Sequence, residues 1–199
     1  MQSILERIDR WCETPLKEEK VEELDGLNSR IQLLHAIFCY FMFYSFLGWL
    51  WETIITSIDV GSLQERGFLH LPICPIYGVA IVIIITLFYK KRDNWPLVFL
   101  GSGFVTSIVE YITSWGMEKI FHRVWWDYSQ MRFQINGRIS LVGTVTFGIA
   151  SILVLNKIHP ILKEKTYRYI CSENSLRLSI GIATLILVDT IITCIMRLK

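Results

Sequence analysis

Paired cysteines, catalytic signatures and a dominant charge are missing from this sequence, and each absence removes a class of protein. The five cysteines (Cys12, Cys39, Cys74, Cys171, Cys194) are scattered without a Cys-x-x-Cys, so neither a zinc site nor a disulfide framework is indicated. They read as small apolar residues. There is no His-Glu-x-x-His, no Gly-x-Ser-x-Gly and no Walker A phosphate loop, which leaves no recognisable nucleophile, metal set or nucleotide cradle and no cofactor to expect. Net charge is only +2, and no basic stretch interleaved with aromatics suggests nucleic acid. The first apolar stretch is too long for a signal-peptide core and lacks a small-residue cleavage site, so no processing is expected.

Apolar residues are what the chain has in abundance. They make up 52% of its 199 residues, and the mean hydropathy of +0.42 is too high for an ordinary soluble domain. The apolar runs lack the polar stripe of a surface helix. The expected fold is therefore all-α, a polytopic membrane bundle of about five spans (31–58, 75–89, 96–118, 139–158 and 178–196), preceded by a charged segment, 1–30. Within that segment Ile4, Leu5, Ile8, Trp11 and Cys12 recur at helical spacing before Thr14-Pro15, as in an amphipathic helix on a membrane or partner. Residues 159–177, rich in Lys and Arg, are expected to lie parallel to the membrane after Pro160 closes the fourth span. Lys and Arg outside the spans number 13 on the N-terminal side and 7 on the other, which favours a cytoplasmic N-terminus.

Ionised groups at bilayer depth are costly and mark candidate sites. Ser45, Gly48 and Glu52 share one face of the first span; Glu110, Ser114 and Glu118 form a stripe on the third; Asp189 lies in the last. Arg66 and Arg138 are the cations expected to answer them, with Glu52 or Glu110 to Arg138 as the favoured pair. Between the third and fourth spans, His122, Trp125-Trp126-Asp127-Tyr128 and the Asn136-Gly137-Arg138 turn promise an ordered loop. Trp and Tyr also serve as interfacial anchors, and His70 or His122 beside acids gives only a weak metal signal. Two hairpins align: Glu52-Thr-Ile-Ile-Thr-Ser resembles Glu110-Tyr-Ile-Thr-Ser, and the segment from Arg66 to Gly78 resembles that from Arg138 to Gly148. Such a duplication would place a site at the repeat interface, as in transporters.

The runs FYSFLGWLWE (43–52), RGFLHLPICPIYG (66–78), EYITSWGMEKIF (110–121), WWDYS (125–129) and NGRISL (136–141) together resemble the bacterial family described as Putative ABC-transporter type IV, or CmpB-like, permeases, over about residues 36–160. The resemblance implies a multi-spanning inner-membrane protein. Many relatives read Gly-Pro before Cys-Pro-Ile-Tyr-Gly, where this chain has Leu71-Pro72-Ile73. The leading expectation is a transport component with a separate ATPase subunit docking on the cytoplasmic side. Five spans are few for a complete pathway, so a homodimer in the lipid bilayer is expected. Two other readings stay open: an intramembrane enzyme acting on a lipid or envelope precursor, and a structural or sensing partner.

Overall fold

The computed structural model describes residues 26–172 and 174–198, so the expectation for the charged N-terminal segment falls almost wholly outside the described residues. Five continuous helices make the bundle: α1 Gly26–Val60, α2 Pro75–Phe88, α3 Trp95–Phe121, α4 Leu141–Ile170 and α5 Ser175–Leu198. All but α2 are long and apolar enough to cross a membrane. The protein is thus an all-α membrane bundle. Its interior is inverted relative to a soluble domain, because Ser45, Thr53, Ser102, Thr106, Ser114, Ser151 and Thr193 are buried while most large apolar side chains face outward. Lipid is as apolar as leucine, so small and polar residues are what bring such helices together. The apolar core, Tyr44, Ile84, Ile85, Val98, Val154 and Leu155, is concentrated at one end.

Local chemistry sets the helix boundaries. Pro75 opens α2, where its missing N–H costs nothing. The Asn94 side chain caps α3 by accepting from Leu97 N at 3.2 Å, and Ser140 caps α4 by accepting from Gly143 N at 3.1 Å. Pro160 does not end α4, although the sequence suggested it would. The helix widens to a π segment at Val154–Ile158 and runs on to Ile170, because proline removes one N–H and crowds the carbonyl four residues back.

α1 with α2, and α3 with α4, form the two principal antiparallel pairs. Each closes over a glycine: a Cβ on Gly78 would lie 2.5 Å from the Phe41 carbonyl oxygen, and one on Gly148 would lie 2.8 Å from that of Phe99. The connecting loops fold back alongside the first helix of each pair. Cys74 N donates to Ser45 O at 2.9 Å, a point ~22 Å down α1 from Val60. In the second pair Thr144, one turn into α4, meets the Ser107 hydroxyl at 2.8 Å, ~21 Å down α3 from Phe121, so α4 itself begins well below the end of α3. This return explains why α2 has only 14 residues, ~21 Å against a hydrocarbon core of ~30 Å. In the second loop the Asn136-Gly137 turn has both φ angles positive, 52° and 67°, the type I′ geometry that an Asn-Gly pair favours. It joins a two-stranded antiparallel ribbon, Gln134–Ile135 with Ile139–Ser140.

Candidate functional site

Two carboxylates on the paired helices are each met by a phenol. Tyr77 Oη donates to Glu52 Oε1 at 2.8 Å, and Tyr128 Oη donates to Glu110 Oε1 at 2.9 Å. Gly48 makes the first contact possible, since a Cβ there would sit 2.2 Å from Tyr77 Cγ. One helical turn beyond that gap stands Glu52, so the ring that fills it reaches the carboxylate. Arg66 Nε lies 3.9 Å from Glu52 Oε2, and Cys74 Sγ lies 4.0 Å from the same oxygen. Glu110 is the more enclosed acid, only 8% exposed.

The two acid–phenol pairs form one electrostatic group. Glu52 acts on Glu110 across the gap, and Tyr128 feels Glu110, Glu52 and Arg66 together. Burial first, then the Glu110 carboxylate, pushes the Tyr128 phenol above its ordinary value, with Arg66 opposing. Tyr128 is held by its own loop: its N–H donates to Gly137 O at 2.8 Å, and its carbonyl accepts from Met131 N at 2.8 Å. Trp126 Nε1 donates to Arg138 O at 3.0 Å, while Asp127 accepts from Ser129 N and Oγ. Trp126 and Asp127 thus brace the loop that delivers Tyr128.

Arg138 does not pair with Glu52 or Glu110, as the sequence reading favoured. Its guanidinium pairs with Glu118 and donates to Ser114 Oγ at 3.0 Å, because the ribbon brings it to the last turns of α3. Asn136 Nδ2 fixes the same hairpin by donating to Tyr111 Oη at 2.9 Å. Asp189 serves a different contact. Its Oδ2 accepts from His70 N and Leu71 N, each at 3.0 Å, and its Oδ1 lies 2.8 Å from His70 Nδ1. One carboxylate therefore clamps the 61–74 loop to α5, with Thr193 Oγ1 a further 2.8 Å from His70 Nδ1.

The candidate residues thus sort into three groups. Glu52, Arg66, Glu110 and Tyr128 come together; Glu118, Asn136 and Arg138 tie down the second loop; Asp189 ties down the first. His122 joins none of them, being the exposed left-handed cap of α3. Trp125 packs with Phe68 and Phe121 at ring separations of 5.2 and 6.4 Å. Among the described residues no three of His, Cys, Asp and Glu gather as a metal set. Tyr77, in the Pro-Ile-Tyr-Gly run, and Thr193, one turn after Asp189, join these groups without any charge in the sequence to mark them.

No curated protein and no solved structure matches the chain. The family model described as Putative ABC-transporter type IV matches residues 39–194, which reach into every helix and cover both loops of this site, and the chain belongs to that family.

Proposed function

We propose that the protein is the membrane-embedded permease subunit of a transporter in a bacterial cytoplasmic membrane, its N-terminus cytoplasmic, and that the Glu52–Glu110 group is its translocation site. The observation that carries this reading is the charge balance of the group. One guanidinium, Arg66, lies 3.9 Å from Glu52, while Glu110 has no cation within ion-pair distance among the described residues and is met by the neutral Tyr128 hydroxyl, so a proton or a cationic substrate is the complement that neutralises the buried acid. Glu118 and Asp189 already have partners and act as fasteners for the loops.

A duplicated hairpin supports the same reading. Phe41 and Phe99 stand eleven residues before Glu52 and Glu110 and meet Gly78 and Gly148. Eleven residues before those glycines lie Gly67 and Gly137, both with positive φ. Tyr77 and Phe147, each preceding its glycine, touch at 5.8 Å between ring centroids. The two units run in the same direction, the relation of parallel repeats about an axis along the membrane normal, and repeat interfaces are where transporters hold substrates. Non-helical loops returning beside the helices also suit this role, since irregular backbone is tolerated at membrane depth only against protein or a polar cavity.

With no phosphate-binding loop in this sequence, ATP-driven transport uses a separate ATPase subunit at the end carrying Lys90, Lys91, Lys165 and Arg168, and a homodimer completes the pathway. The test compares uptake and efflux of a panel of cations in cells lacking the protein and cells restored with wild type or Glu110→Gln. A difference restored by wild type but not by the variant is expected. Identical fluxes in all three strains would refute the reading, and restoration by the variant would leave the acid only a structural part.

A further inference from the structure

Away from the acids, the ends of α3 and α5 enclose a cleft of about 520 Å³ lined by His70, Phe121, Arg123, Met196, Arg197 and Leu198. Its two arginines differ from Arg66 and Arg138 in having no carboxylate within ion-pair distance among the described residues. Asp189, which holds the cleft residue His70, has both oxygens engaged by His70 and Leu71. The guanidinium groups are instead held against rings. Arg197 Cζ lies 4.6 Å from the Trp125 ring centroid and 5.6 Å from that of Phe68, and Arg123 Cζ lies 6.0 Å from the same Trp125 ring. Arg197 Nη2 also reaches Phe68 O at 3.5 Å. Phe68, Phe121 and Trp125 pack together as the slab behind them.

A guanidinium fixed by its face against an indole presents its N–H edge, the edge that grips a phosphate in two parallel hydrogen bonds. The position adds a second constraint. α3 leaves the bundle at Phe121 and α5 reaches Leu198, so the cleft lies at the end of two apolar spans, at headgroup level. Its remaining walls, Phe121, Met196 and Leu198, are apolar. Two unpaired cations beneath an apolar lip match an amphiphile with a phosphate head.

We propose that Arg123 and Arg197 form a phosphate-binding site, occupied by the headgroup of an anionic phospholipid at the membrane surface. The inference is independent of what the acid group transports. The test purifies wild type, Arg123→Gln/Arg197→Gln and the single Arg123→Gln, whose side chain makes the fewer protein contacts, in a neutral detergent. Each is then exposed to phosphatidylglycerol, phosphatidylcholine, or soluble glycerol phosphate. Native mass spectrometry counts retained lipid, and tryptophan fluorescence follows occupancy beside Trp125. Wild type should retain phosphatidylglycerol over phosphatidylcholine, with retention falling on the order of tenfold in Arg123→Gln and further in the double variant. Saturable quenching by glycerol phosphate that vanishes in the variants, without lipid preference, would keep the phosphate site and replace the lipid by a soluble anion. Equal lipid retention and equal quenching in wild type and well-folded Arg123→Gln would overturn the proposal.

Discussion

Tyr128 carries more of the site than its place in an exposed-looking aromatic run suggests. Its hydroxyl is the hydrogen-bond donor to Glu110, so Tyr128→Phe leaves a buried carboxylate oxygen without that partner, at a cost of about 1–3 kcal/mol. Because its phenol is raised in the folded protein, the neutral form is the one the fold favours. That contribution is fully present below the unfolded value of ~10 and is lost as pH rises through the higher folded one. Thermal melts in detergent should therefore show wild type ahead of Tyr128→Phe at about pH 9, with the margin shrinking as pH rises above about 10. A margin that grows above about pH 10 would contradict the assignment. At this scale the sequence was half legible. Glu52 and Glu110 stand out because charge in an apolar run is conspicuous, and Tyr128 because it lies in the Trp-Trp-Asp-Tyr run, whereas Tyr77 does not, because a tyrosine at a helix start looks like any interfacial anchor. Which acid Arg138 would take depended on how far the hairpin travels down α3, a distance that no spacing rule encodes.

Helix pairing is governed by absent side chains. Gly78→Leu would drive its Cβ to 2.2 Å from Ser45 Oγ and 2.5 Å from the Phe41 carbonyl, and since backbone cannot step aside cheaply the loss should reach about 3 kcal/mol or more. Gly181, on α5, has nothing within 4 Å of its would-be Cβ. Gly181→Ala should therefore be neutral or gain up to about 1 kcal/mol through helix propensity. Melting temperatures of the two variants in the same detergent separate these outcomes, and equal losses would mean α5 is packed more tightly than the structure has it. The elements themselves were readable from apolar run lengths and the Asn-Gly turn. The return of both loops beside their helices was not, because it rests on hydrogen bonds such as Cys74 to Ser45 between distant residues. α2 looked like a short span for that reason.

Seen whole, the bundle puts its loops at one end and its basic turns at the other. Exposed Cys171 lies at the turn between α4 and α5, opposite the 122–140 loop that holds exposed Ser129. With a cytoplasmic N-terminus, a membrane-impermeant maleimide should label a Ser129→Cys single-cysteine variant in intact cells and leave a variant retaining only Cys171 unlabelled until the membrane is opened. The reverse pattern would invert the protein and exchange the sides from which the acid group and the arginine cleft are reached. The sequence gives this orientation only through a modest surplus of Lys and Arg on one side.

The widened turn at Val154–Ile158 has a consequence for register. A π turn houses one residue more than an α turn, so everything after it is rotated by about 100° relative to an uninterrupted rod. Buried Leu155 sits in that turn, and His159, whose Nδ1 lies 3.2 Å from Tyr44 Oη, comes directly after it. The extra residue is what keeps His159 facing Tyr44 of α1 while the first half of the same helix faces α3. Through it, one rod presents two correctly phased seams to two different neighbours.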